Sequence, residues 1–216
     1  MKISGAIFDM DGTVTDSMYV WADIGVRYLR SHGITPVPTL WRDIKNMSLF
    51  ETTAYFRRVY GIRETDDEIA QSINDLVEPM YRNEVLPKPG VVELLENFRA
   101  RGIPMALATA TDRYLVDATL AKNDLLKYFK GIFTCTEVGA GKTDPEIYEA
   151  ALKCLGTPKA ETLVFEDAYY ALTTAKRAGF PTVGVYDASQ TRDKEAMQRD
   201  ASIFITDYRA DMHYFQ

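Results

Sequence analysis

Histidine and cysteine are scarce in this chain, with two of each in 216 residues. His32 and His213 fall in no recognisable catalytic motif, and Cys135 and Cys154 form no C-x-x-C pair. A His-activated nucleophile therefore has little support, and the thiols read as buried and free, as in a reducing cytosol. Long apolar runs are missing as well. None reaches the roughly 18 residues of a membrane span, and the opening MKISGAIFDM meets Asp9 too early for a signal peptide. No basic patch or stripe of the kind that marks nucleic-acid binders is present. Lys and Arg number 25 against 31 Asp and Glu, a net charge of -6. The expectation is a cytoplasmic protein with no membrane or nucleic-acid partner, a monomer or small homo-oligomer. What is present is a full core's worth of apolar residues, 46% of the chain, with 26% charged. The length suits one domain with a large insertion, or two small ones. No internal repeat or low-complexity segment interrupts it.

Short apolar runs recur along the chain, each followed by a helical stretch. SGAIFD (4–9), IPMALAT (103–109), TLVFED (162–167) and FPTVGVYD (180–187) read as buried strands, with weaker ones at GIFTC (131–135) and SIFIT (202–206). Between them, PGVVELLENFRARG, DPEIYEAALKCLG and AYYALTTAKRAG carry helix punctuation: prolines on entry, Asp144 as an N-cap, and Gly102, Gly156 and Gly179 at the exits. Such alternation predicts an α/β fold, a Rossmann-like parallel sheet with right-handed crossovers. Residues 17–85 break the rhythm. MYVWADIGVRYLRSHG, SLFETTAYFRRVYG and TDDEIAQSINDLVEPMYRNEV read as helices, and Ser48/Glu51 and Thr65/Glu68 have capping-box spacing. The expected organisation is a core of residues 1–16 and 86–216 with an inserted α-helical cap domain, 17–85.

In an open parallel sheet, ligands bind at the carboxyl ends of the strands. Four features fall there: Asp9 and Asp11 in FDMDGT; Thr109, Ala110 and Thr111 in LATAT; Lys142 in the loop VGAGKTDP; and Glu166 and Asp167 in VFED. Four clustered carboxylates repel, and one lysine does not balance them. A divalent cation would, and Mg²⁺ favours hard oxygen ligands, waters and a phosphate oxygen. Such a site suits a phosphoryl group.

FDMDGT, LATAT, GKTDPEIY and VFEDA, in this order and each after a strand, resemble the four motifs of the haloacid dehalogenase-like hydrolases. The helical insert resembles the cap of the phosphatase and β-phosphoglucomutase-like subgroup. That resemblance spans essentially the whole chain. It implies an enzyme, a Mg²⁺-dependent phosphatase that hydrolyses a small phosphorylated metabolite through an aspartyl-phosphate. Asp9 would be the nucleophile and a metal ligand. Asp11 would protonate the leaving oxygen, activate water and lend its backbone carbonyl to the metal. Thr109, with the backbone at Ala110, would hold phosphoryl oxygens. Lys142 would offset negative charge. Asp167 would ligate the metal and Glu166 would support it, directly or through water.

Two alternatives stay open: a phosphomutase of the β-phosphoglucomutase type, and a non-catalytic phosphate-binding protein on the same fold. The mutases hold substrate with a His, an Arg and a Lys of the cap. Here the matching stretches read MYVWAD and NMSLFE, and no Lys lies between Lys45 and Lys88. The full acidic set argues against a binding protein. Other departures, Thr143–Asp144 after the lysine and Ala168 and Ala171 beyond FED, touch only the periphery. GAGKT also resembles the end of a Walker A loop, but the glycine that should open that loop is Thr136. Several residues have plainer readings. Thr111 is expected to cap the next helix. Asp16, Asp187 and Asp207 are expected in turns or caps. Met18, Trp21 and Tyr28 are expected in the packing of the helical insert. Tyr19, Asn46, Met47 and Phe50 are candidate substrate contacts.

Overall fold

The computed structural model describes residues 2–44, 47 and 49–216, with the side chain of Phe50 left out. Strand β1 (Gly5–Phe8) leads into four helices, α1 (Met18–Ser31), α2 (Leu40–Ile44), α3 (Leu49–Tyr60) and α4 (Asp66–Asn83). From there strands and helices alternate: α5 (Val91–Ala100), β2 (Met105–Thr109), α6 (Arg113–Lys122), β3 (Phe129–Thr134), a single turn α7 (Cys135–Val138), α8 (Glu146–Leu155), β4 (Thr162–Glu166), α9 (Tyr169–Arg177), β5 (Thr182–Val185), α10 (Lys194–Asp200) and β6 (Ile203–Ile205). All six strands are parallel, in the order β3-β2-β1-β4-β5-β6. This is the α/β, Rossmann-like sheet that the alternating pattern predicts. β1, β2, β4 and β5 are buried at every position, and the weaker apolar signal of β3 and β6 belongs to the two edges.

The order of winding reverses at β1. β2 and β3 are laid to one side of it, β4 to β6 to the other, which opens a crevice at the carboxyl ends of β1 and β4. Register carries this to the residue level. Phe8 pairs with Phe165, so Asp9 lies beside Glu166, and the Asp9 N–H donates to the Phe165 carbonyl at 3.0 Å. The two rings stack with centroids 4.3 Å apart, and Phe98 and Phe215 close the same cluster. Each fully buried Phe of this kind contributes about 1.5–3 kcal/mol.

Among the described residues, no strand lies between β1 and β2. α1 packs on α2 and α4, α3 packs on α4, and α4 also packs on α6 beside the sheet. Thr119 of α6 donates its hydroxyl to the Tyr81 carbonyl at 3.1 Å, and Asn123 reaches the Val85 carbonyl. α4 opens on the expected capping box, Thr65 with Glu68, worth about 1 kcal/mol. The matching Ser48/Glu51 box lies outside the described residues, because Ser48 does. α2 was not legible as a helix, since five residues carry too little periodicity. Pro145, not Asp144, occupies the N-cap of α8, and no side chain caps it. Both cysteines are free, and half-buried rather than buried. No described helix is long and apolar enough to cross a membrane.

Candidate active site

Residues 9–17 turn back on themselves at the end of β1. The Met10 carbonyl accepts from the N–H groups of Thr13, Val14 and Thr15 and from the Thr15 hydroxyl. Gly12 makes this possible. Its φ is +82°, and a Cβ there would stand 2.4 Å from Asp167 Oδ2. The glycine thus lets two strand-end loops touch.

Asp9, Glu166 and Asp167 are buried, and an oxygen of each lies within 4.8 Å of the others. Lys142 comes in from the loop between α7 and α8. Its Nζ donates to Asp9 Oδ1 and, at 2.8 Å, to Glu166 Oε1. Tyr148 of α8 donates to the same Glu166 oxygen at 2.7 Å. Glu166 Oε2 and Asp167 Oδ2 are buried with no hydrogen-bond partner. Two buried, unpartnered carboxylate oxygens in one cluster are costly unless a proton or cation completes them. The donor set is all hard oxygen, which fits Mg²⁺ or a similar cation and not a soft one.

Electrostatics agree. Burial, and then the negative charges of Asp9 and Glu166, hold Asp167 well above the usual carboxylate range. Glu166 is pushed up to about 7 by burial, with Lys142 opposing and Asp9 reinforcing. Asp9 is raised by burial, against the pull of Lys142. For Lys142 burial is the largest influence and acts downward, but Asp9 and Glu166 together outweigh it, and the ammonium is held above its ordinary range.

Asp11 has different company. Ser17 donates to its Oδ1 at 2.5 Å, the Tyr81 hydroxyl from α4 donates to the same oxygen, and Thr111 donates to its Oδ2 at 2.5 Å. Trp21 of α1 in turn donates its indole N–H to the Tyr81 oxygen at 2.7 Å. Thr111 therefore does not cap α6. Asp112 occupies that position, and the Thr111 hydroxyl is turned to Asp11. Thr109 is fully buried, and its hydroxyl accepts from the Thr111 N–H at 3.1 Å. Ala110 follows it on the cavity wall.

One cavity of about 160 Å³ joins Asp9, Asp11, Thr109, Lys142, Glu166 and Asp167. The sheet thus brings together all the strand-end residues expected to meet. Its far wall comes from the helical insert: Met18 and Trp21 of α1, Ile44 of α2, Phe56 of α3 and Asn74 of α4. Of the residues expected in helix packing, only Tyr28 is wholly there, stacked on Phe56. Met18 and Trp21 face the cavity, because α1 presents its first two turns to the strand ends. Met47 also lines the cavity. Tyr19 does not line it and is 49% exposed, because it sits one residue round the helix from Met18. Asn46 and the Phe50 side chain lie outside the described residues. Ser17, Tyr81 and Tyr148 were not legible as site residues. Ser17 stands next to the first motif, which is a signal of a kind, but nothing local marks Tyr81 or Tyr148.

The plain readings of Asp187 and Asp207 hold. Asp187 accepts from the Ser189 N–H in a turn and pairs with Lys88 at 2.8 Å, and Asp207 accepts from the N–H groups of Arg209 and Ala210. Asp16 is exposed.

The family model of the haloacid dehalogenase-like hydrolases matches residues 3–179. The phosphorylated carbohydrates phosphatase of Thermotoga maritima is 28% identical over 181 residues, covering 84% of each chain. Protein CbbY of Rhodobacter capsulatus is 31% identical over 196 residues, covering 85% of each. The crystal structure of CbbY from Rhodobacter sphaeroides in complex with phosphate superposes with a TM-score of 0.84 at 21% identity, over 95% of each chain, and shares the fold. The chain belongs to the haloacid dehalogenase-like hydrolases, and it is an enzyme of that family.

Proposed function

We propose that this hydrolase is a Mg²⁺-dependent phosphatase that cleaves a small organic phosphomonoester through an aspartyl-phosphate on Asp9. The observation that carries the reading is the buried cluster of Asp9, Glu166 and Asp167 around Lys142, with two carboxylate oxygens left unpartnered. Asp9, Asp167 and the Asp11 backbone carbonyl would hold the metal, and Glu166 would support it. The bound cation supplies charge neutralisation for the phosphoryl oxygens.

The chain's own residues account for the rest. A carboxylate oxygen of Asp9 attacks phosphorus, and the bond from phosphorus to the leaving oxygen breaks. Asp11 gives its proton to that oxygen. It then takes a proton from the water that attacks the aspartyl-phosphate, which releases inorganic phosphate and restores Asp9. Lys142 offsets the charge on Asp9 and the transferred group, and Thr109 with the backbone at Ala110 orients it. General acid–base help is worth roughly 10²–10⁴, while phosphomonoester hydrolysis calls for enhancements of up to ~10²¹. Positioning and electrostatics must supply most of the remainder. The helices of residues 17–85 act as a cap that closes the organic end of the site off from water.

The test is phosphate release from a panel of phosphomonoesters with Mg²⁺ present, beside Asp9→Asn. Mass spectrometry of the quenched enzyme should find a phosphoryl group on the wild type at residue 9 and none on the variant. Release that survives Asp9→Asn would overturn the nucleophile. A sugar phosphate isomerised with no net phosphate released would instead mark a phosphomutase, the activity of other members of this subgroup.

A further inference from the structure

We propose that Gln190 is a specificity-determining residue of this site, its amide oxygen accepting a hydrogen bond from a hydroxyl on the alcohol that bears the phosphoryl group. The proposal rests on the phosphatase reading for the phosphoryl end of the cavity and names a contact for the leaving group.

Gln190 lines the cavity from the loop after β5, on the side of the sheet where Asp167, Ala168 and Tyr170 follow β4. The residue is 6% exposed, and its Oε1 is buried with no hydrogen-bond partner among the described residues. A buried amide oxygen left unpaired costs at least as much as a lost hydrogen bond, so few are found. The unpaired oxygens of Glu166 and Asp167 belong to the charged cluster, where a cation would complete them. Gln190 is neutral, and its oxygen calls for an O–H or N–H instead.

The loop holds the amide in place. Asp187 accepts from the Ser189 N–H at 2.8 Å, and the Gln190 N–H donates to the Asp187 carbonyl at 3.1 Å. Lys88 pins the same turn, pairing with the Asp187 carboxylate at 2.8 Å and donating to the Tyr186 carbonyl at 3.0 Å. α1, which gives Met18 and Trp21 to the cavity, packs against this loop. Gln190 therefore stands at the seam between the sheet and the insert, on the same cavity as Asp9. Tyr170 shares its wall. Burial first, with Glu166 and Asp9 working against Lys142, holds the Tyr170 hydroxyl above the ordinary phenol range, which ties that residue to the phosphoryl end.

An alcohol that carries a hydroxyl gives Gln190 the donor it lacks, and the hydroxyl keeps a partner as it leaves water. An alkyl group of the same size leaves the oxygen unpaired. Sites that pair a substrate hydroxyl reject the analogue lacking it more strongly than a pocket rejects one methylene.

The experiment compares kcat/KM with Mg²⁺ in matched pairs, each with a methyl in place of the hydroxyl: 2-hydroxyethyl against propyl phosphate, 3-hydroxypropyl against butyl phosphate, and 4-hydroxybutyl against pentyl phosphate. The pairs scan how far the hydroxyl stands from phosphorus. In at least one pair the hydroxyl ester should lead by about tenfold or more. Gln190→Leu should cost that ester about tenfold more than its alkyl partner, with Gln190→Met as the second variant should Gln190→Leu fail to fold. Differences in leaving group cancel when wild type and variant are compared on the same pair. Alkyl esters that match the hydroxyl ester in every pair, or a lead that survives in the folded variant, would overturn the proposal. Calorimetry of the corresponding hydroxyalkyl- and alkylphosphonates with Mg²⁺ separates the two readings. With no ester turned over, a hydroxyalkylphosphonate that binds about tenfold tighter than its alkyl partner, and loses that advantage in Gln190→Leu, would support the contact while the phosphatase reading failed. Equal binding in every pair would overturn the contact.

Discussion

Tyr81 donates its hydroxyl to Asp11 across 70 residues of sequence, so a helix of the insert holds the carboxylate proposed as acid and base. Tyr81 is a positioning residue: it touches Asp11 and not the substrate. Tyr81→Phe keeps the ring and removes the donor. A hydrogen bond to a charged group is worth about 1.5–3 kcal/mol, so kcat should fall roughly 10- to 100-fold with KM little changed. The defect should shrink with p-nitrophenyl phosphate, whose leaving group needs no proton. An equal loss on both esters would mean that Tyr81 serves only the fold.

Lys142→Met leaves Asp9 and Glu166 facing each other without a cation. Breaking a buried ion pair from one side costs about 3–5 kcal/mol. Thermal unfolding of the metal-free variant should show that loss at pH 8. It should be smaller at pH 5, where the carboxyls can take up protons instead. Turnover should drop by roughly 10²–10³, the scale for losing one preorganised donor to a transition state.

Stability of the metal-free enzyme should fall as pH rises from about 4.5 to 7. Burial first, then Asp9, lifts the Glu166 carboxyl from 4.5 to about 7. In that window the folded state holds a proton that the unfolded state has released, so deprotonation favours unfolding. Asp167, raised by burial and by Asp9, acts in the same direction. Metal binding needs the deprotonated ligands. Added Mg²⁺ should therefore stabilise most above pH 7 and bind more weakly below it, with proton release visible by calorimetry in buffers of different ionisation enthalpy. Glu166→Gln should flatten the slope.

Gly12→Ala tests the contact between the loops after β1 and β4. The residue is at φ +82°, and its new Cβ would press on Asp167 Oδ2. The left-handed backbone alone costs about 1–2 kcal/mol, and displacement of Asp167 should weaken Mg²⁺ binding at least tenfold. A variant with native melting temperature and metal affinity would show that the loop yields freely.

Much of this architecture was legible because its determinants are local. Buried parallel strands read as apolar runs whatever their neighbours, and helices announce their ends in capping residues and glycines, as at Thr65, Gly156 and Gly179. Strand ends are therefore locatable, and with them Asp9, Thr109, Lys142, Glu166 and Asp167. The limits are physical too. Thr111 reads as a cap because caps are made by such residues before a helix, yet its hydroxyl has a stronger acceptor in Asp11, which only the neighbouring strand brings near.

Sequence alone thus determined the α/β order, the insertion point after β1 and the set of acids at the strand ends, since backbone preference and hydrophobic period act within a few residues. Tertiary structure decided the rest. It set Lys142 between Asp9 and Glu166, gave Asp11 the hydroxyls of Ser17, Tyr81 and Thr111, and turned Met18 and Trp21 of α1 to the cavity while Tyr28 packs on Phe56. Those pairings depend on where distant segments come to rest, and the packing of α4 on α1 and α3 and on α6 is what brings them there.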